Sequence, residues 1–201
     1  LTSDPSWGQG PALFYSSNLV TDWTQGADHP DIPNAEKVWV AEVDYLPRHL
    51  WMLNGEDGIT RLKTARTPNW EITDKNNVFS EWFTWDQTAK TGPIPGDEDN
   101  DAIIAEDSRL KEFSAEELED AIIWTKWGFV MGTPIPTRIR GVDVEAGKVA
   151  FKGVYYGNAN RAQRVEKGHP YFLENKPHFL DQAGEYWAEK IGENRVRLYL
   201  R

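Results

Sequence analysis

Trp70, Trp82 and Trp85, with Phe79 and Phe83, fall among Asp, Asn, Ser and Thr in the stretch from Asn69 to Trp85. Indole faces stack on planar or sugar rings, and short polar side chains beside them hydrogen-bond ring hydroxyls, so the mixture points to ligand binding by stacking. Just ahead, Arg66 and Asn69 supply donors for a carboxylate or a sugar hydroxyl. A second reading competes: the rings as core aromatics at the edge of a β-sandwich, and Arg66 as the bidentate partner of an acidic loop. Trp82 and Trp85 share a face only if the segment is helical.

Other chemistries find fewer residues. Asp97, Asp99 and Asp101 in GDEDND have the alternating oxygens of a calcium loop. Ala102 and Ser108 stand where an EF-hand needs its glycine and its bidentate carboxylate, which excludes that loop and leaves an irregular structural calcium site or a solvated acidic loop. No other cofactor is expected. Glycoside hydrolysis needs two carboxyl groups roughly 5 to 10 Å apart across the scissile bond. Glu42 with Asp44, and Asp181 with Glu185, are pairs of that kind, but the oxygens of Asp181 and Glu185 also suit turn capping. His29, His49, His169 and His178 are widely separated, which argues against zinc. There is no G-x-S-x-G elbow, phosphate-binding glycine loop or cysteine nucleophile.

Composition narrows the partners. With Lys+Arg 22 against Asp+Glu 32 and a formal net charge of -10, phosphate backbones are disfavoured, so no nucleic acid is expected. The absence of cysteine removes disulfides and leaves the compartment open. No apolar run approaches the roughly 18 residues of a membrane span, and no signal peptide is recognisable, which predicts a soluble segment away from membranes. Ten Trp in 201 residues suit a β-rich core or flat ligand platforms. A start at Leu1 and a stop within a strand pattern predict a piece of a longer protein, folded as a single domain.

The elements that would carry these residues read as mainly β. Residues 1–36, with Gly8, Gly10, Gly26 and four Pro, form a loop-rich arm holding one strand, Ala12 to Tyr15, with Trp7 and Trp23 pinning the loops. Val38 to Asp44 alternates, with Trp39, Ala41 and Val43 as the buried set. His49 to Leu53 and Ile59 to Ala65 form a hairpin across a glycine-containing turn. Phe113 to Ala121 is a helix, capped by Ser114 and Glu117. Ile122 to Met131 is a central strand in which Trp124 and Trp127 differ in parity. A second hairpin joins Arg138–Val144 to Lys148–Tyr155, and 158–168 is loop. Asn175 to Leu180 makes a helical turn that tucks Phe179 and Leu180 under a closing hairpin, in which Val196, Leu198 and Leu200 alternate with arginines. The fold class expected is an antiparallel β-sandwich, jelly-roll-like, with one or two short helices.

Two stretches, WVAEVDYLPRHLWMLNGEDGITRLKTARTPNW and YFLENKPHFLDQAGEYWAEK with RLYL, resemble segments near the amino end of right-handed parallel β-helix carbohydrate-active proteins, a set that includes several glycoside hydrolase families. Ala65, Arg66, Thr67, Pro68 and Asn69 match an "ARxPN" pattern; Glu174, Asn175, Pro177, Leu180, Asp181, Gly184, Glu185 and Tyr186 match "EN-x-P-x-x-LD-x-x-GE-W/Y". The resemblance implies a sandwich inserted between early coils of a β-helix, with neighbouring termini, an extracellular or periplasmic location, and catalytic carboxylates on the helix rather than here. It makes this chain an accessory domain that binds polysaccharide or oligosaccharide, partnered by the β-helix domain of its parent and not itself catalytic. The alternative is an insert that caps the β-helix and shapes its cleft without binding sugar.

Overall fold

The computed structural model describes residues 17–53, 58–93, 102–128, 134–153 and 165–201. The expected strand at Ala12–Tyr15, Trp7, the acidic Asp97, Asp99 and Asp101, most of the 158–168 loop and the chain start all lie outside the described residues.

In chain order the strands are β1 (Thr24–Gln25), β2 (Trp39–Val43), β3 (Trp51–Leu53), β4 (Ile59–Arg61), β5 (Lys63–Thr64), β6 (Arg66–Thr67), β7 (Phe83–Thr84) and β8 (Lys90–Gly92). They continue with β9 (Ala102–Glu106), β10 (Ile122–Lys126), β11 (Pro134–Asp143), β12 (Lys148–Lys152), β13 (Pro170–Glu174), β14 (Glu185–Gly192) and β15 (Arg195–Leu200). A five-stranded sheet runs β1-β2-β15-β14-β5, and an eight-stranded sheet runs β6-β13-β10-β11-β12-β9-β8 with β7 also on β13. Both are open, and the fold is mainly β, a sandwich. Pairing is antiparallel except between β14 and β5, which run parallel. Among the described residues no helix is long and apolar enough to cross a membrane.

One buried cluster draws on both sheets. Ile103, Ile123, Ile139, Val149, Phe151, Tyr171 and Leu173 enter it from the larger sheet, Tyr199 from the smaller, and Val38 from just before β2. In the closing hairpin β14–β15 Val196 and Leu198 are buried and Arg195 exposed as expected, but Tyr199 on the other parity is buried too and Leu200 is only half-buried. A 3₁₀ turn at Pro177–Phe179 buries Phe179 and Leu180 as expected, and Gly184 takes a φ of +86 at its exit. The hairpin β11–β12 also stands where it was expected.

Three expectations need correction. In β2 Trp39 is 42% exposed, while Val38 is fully buried and Val40 packs against the core. Trp39 pairs in the ladder with Gln25 of β1 and Leu200 of β15, while Ala41 of the same parity is buried as expected. The return limb Ile59 to Ala65 is not one hairpin partner. It pairs with β3 only as far as Arg61, because Leu62 and Ala65 are drawn into the interior; the chain then splits, β5 joining β14 and β6 joining β13. The helix is confined to α1 (Ala115–Leu118), where the Ser114–Glu117 capping box forms as read and the extended Glu119 ends the run, followed by Asp120 at φ 62.

Beneath β13 a polar network is sealed into the core. The Tyr171 hydroxyl donates to Asp107 Oδ2 at 2.6 Å, and Arg109 Nε donates to both Asp107 oxygens at 3.0 Å. Asp107 is wholly buried, and burial together with its charge raises the Tyr171 pKa well above the ordinary phenol value, keeping the hydroxyl a donor. Trp85 stacks on Tyr171 at 3.8 Å and donates from Nε1 to Thr125 Oγ1 at 2.9 Å. Tyr171→Phe leaves Asp107 short of one donor in a dry site. It is expected to cost about 1–3 kcal/mol, read as a fall in Tm of about 2–4 °C for each kcal/mol in a thermal melt.

Candidate functional site

β13 reads YFLE over Tyr171–Glu174, and its pleat sends Tyr171 and Leu173 into the core while Phe172 and Glu174 face outward. β10 is in register beside it, Trp124 opposite Phe172, with Ile123 and Thr125 inward and Trp124 outward. The outer face of the larger sheet thus carries Trp124, Phe172 and Glu174 side by side.

The 70–82 loop folds over this face. Glu81 clasps it, accepting from Glu71 N at 2.9 Å and from the Thr73 hydroxyl at 2.8 Å, and Asp74 and Asn77 carbonyls hold successive turns. The loop delivers Trp70, Phe79 and Trp82 against the sheet. Trp82 meets Phe172 at 4.5 Å and Trp70 at 5.0 Å in tilted and edge-on contacts, while Trp124 lies parallel to Phe172 at 5.9 Å. Between loop and sheet an open groove of about 390 Å³ is lined by Trp70, Ile72, Val78, Phe79, Trp82, Trp124, Pro134, Phe172 and Glu174. Its walls are rings and aliphatic side chains; Glu174 is the charged group.

Glu174 Oε1 accepts from Trp124 Nε1 at 2.6 Å. Burial raises the Glu174 pKa above the ordinary carboxylate value, against the pull of that hydrogen bond and of the Arg66 charge. Arg66 lies behind Trp70, its guanidinium 4.2 Å from the ring centroid and its Nη2 donating to the Trp70 carbonyl at 2.6 Å. It therefore packs behind the groove wall, with its buried Nε unmatched among the described residues. Among the described residues the buried Nε1 atoms of Trp70 and Trp82 meet no acceptor.

The structure brings Trp70 and Trp82 together and sets Trp85 apart in the core, at 1% exposure. Asn69 is exposed and donates to Asp181 Oδ1 at 2.6 Å. Glu42 is held by Arg195 and Arg197; His169 lies 3.7 Å from Glu166 and His178 3.8 Å from Asp31, and among the described residues no group of three or more such side chains could hold a metal. Trp124, Phe172 and Glu174 were not singled out from sequence as site residues. The alternation YFLE, apolar at every position but the last, was the available signal.

The two stretches that carry the family resemblance meet in space. Ala65 N donates to Tyr186 O and Asn175 N to Ala65 O, both at 2.8 Å, and Arg66 pairs across the ladder with Glu174. Glu185 lies at this seam, wholly buried, with Oε2 accepting from Gln182 N at 3.2 Å as a turn cap and Oε1 unmatched among the described residues. Burial lifts its pKa from 4.5 to about 7, the charge of Arg66 only partly opposing it.

No family profile and no curated protein matches the sequence. Among solved structures, a chain described as "Glycoside hydrolase" is similar over 90% of this chain and 28% of its own length, at 15% identity and a TM-score of 0.45.

The Glu185 shift has a sign that can be measured. A carboxyl with a pKa of about 7 folded against 4.5 unfolded binds its proton more tightly in the folded state. Its contribution is fully present below the unfolded value and is lost as pH rises through the folded one, a fall on the order of 3 kcal/mol. Urea melts from about pH 4 to about pH 8 should show that decline, and Glu185→Gln should flatten it. An unchanged slope in the variant would remove Glu185 from the account.

Proposed function

We propose that this chain is an accessory carbohydrate-binding domain of a larger polysaccharide-degrading enzyme, with the groove over β10 and β13 as its glycan site. The observation that carries the reading is the groove itself: three indoles and two phenyl rings line one open channel on the face of a sheet. Sugar rings present C–H faces that stack on such surfaces, while Glu174 accepts from hydroxyls. Of the candidate residues, half-buried Trp70 is the stacking wall with the buried Trp82 packed behind it, Arg66 fixes the Trp70 ring, and Asn69 holds the loop entry to Asp181. Half-buried Trp124 joins it as the floor, backed by the buried Phe172.

The parent we propose is a right-handed β-helix protein, extracellular or periplasmic, on the strength of the two matched stretches. Their contact across β5, β6, β13 and β14 gives them one structural purpose, to tie the two sheets together, which suits an insert that must stand off a host domain.

A second reading is favoured by a different observation. The hairpin β3–β4 carries Trp51, Leu53 and Ile59, each 51% exposed, on a ribbon two strands wide. Such a ribbon suits packing against the β-helix, so that the domain shapes the parent's cleft instead of holding sugar.

Affinity measurements separate the two. Titrating the chain with neutral and charged oligosaccharides while following Trp fluorescence should give saturable binding. Trp70→Ala and Trp124→Ala should each weaken it by about tenfold or more, or about 1.4 kcal/mol, and Trp51→Ala on the distant hairpin should leave it unchanged. A silent panel, with parental activity lost on deleting the domain, would favour the cleft-shaping role.

A further inference from the structure

The charge within the groove narrows the class of sugar, on the premise that the groove binds glycans at all. Apart from Glu174, the described lining residues are aromatic, aliphatic or proline. Among the described residues no ion pair joins Glu174 to a cation, and its Oε2 accepts no hydrogen bond, whereas Oε1 is taken by Trp124. The nearest guanidinium, on Arg66, is committed to the Trp70 ring and carbonyl. The carboxylate at the end of this aromatic channel is half-buried, carries one donor on Oε1 and has no cation in contact among the described residues, Arg66 acting on it only through space. An ammonium group answers both features, since ring faces attract a cation and the carboxylate pairs with it. An anionic sugar would instead meet the Glu174 carboxylate at short range, within a chain of net charge -10.

We infer that the groove is selective for glycans bearing a free amine, a hexosamine whose ammonium group pairs with Glu174 while its ring lies on the Trp and Phe faces. Uronic acid and sulfated sugars are excluded by the same carboxylate.

The test compares calorimetric affinities of the whole chain, at about pH 6.5, where a sugar amine is largely protonated, for a glucosamine oligomer, its N-acetylated form, a neutral glucose oligomer and a galacturonate oligomer. The glucosamine oligomer should bind about tenfold or more tighter than the others. In Glu174→Gln the ratio of glucosamine-oligomer to neutral-oligomer affinity should fall to about one, and a ratio still near tenfold would overturn the inference. Equal affinity for the amine and its N-acetylated form would overturn the inference and leave glycan binding standing; no binding by any oligomer would remove both. Carbodiimide coupling of the glucosamine oligomer to the unmodified chain, followed by peptide mapping, gives a readout that does not depend on how the variant folds. An amide at Glu174 is expected, and amides confined to surface carboxylates would overturn the inference.

Discussion

The register of β13 depends on what lies beneath it. Tyr171 is stacked under Trp85 and hydrogen-bonded to a buried Asp107, whose other contacts run to Arg109 and to the backbone N–H of that residue. Because side chains alternate along a strand, a slip of one residue would send Phe172 and Glu174 into the core and Tyr171 into solvent. The core network therefore decides which side chains form the groove floor. The buried core and the groove floor share one five-residue strand, one on each face.

The groove is assembled from two kinds of support. Its floor is held by sheet pairing between β10 and β13, where Trp124 and Phe172 sit opposite each other. Its wall is a loop without regular strand pairing over most of its length, held by Glu81 to the backbone and side chain of its own first turn, and by Arg66 to Trp70. A lysine contact from Lys63 to Glu71 adds a tie at the solvent side. Rings held in this way are oriented by the fold itself.

Much of the fold was legible because period-two alternation and turn chemistry are local. The closing hairpin, the β11–β12 hairpin, the Ser114–Glu117 box and the parity difference between Trp124 and Trp127 all follow from neighbours in the chain. What escaped were choices made by distant partners. Trp39 has the pattern of a buried residue, yet of its parity set Ala41 is buried while Trp39 is exposed. Leu62 and Ala65 look like the continuation of a hairpin, and only the presence of β13 and β14 pulls them out of it. For the site, Trp70 and Trp82 could be picked out by type and polar surroundings, while Trp85, equal in both respects, is claimed by Tyr171. Glu174 stood at the end of an apolar strand with nothing local to mark it as facing a channel.

The splitting of residues 63–67 between the two sheets also sets an order of events. β5 lies parallel to β14 and β6 antiparallel to β13, and the nearby tie from Asn69 to Asp181 spans 112 residues of sequence. Contacts so far apart in the chain carry a large loop-closure cost and form late. During synthesis, the early strands cannot complete either sheet until the last third of the sequence has emerged, and the exposed β3–β4 ribbon must wait unprotected meanwhile. The crossing that fastens the sandwich is thus also its slowest joint, and the interval before it closes is when this chain is most open to mispairing.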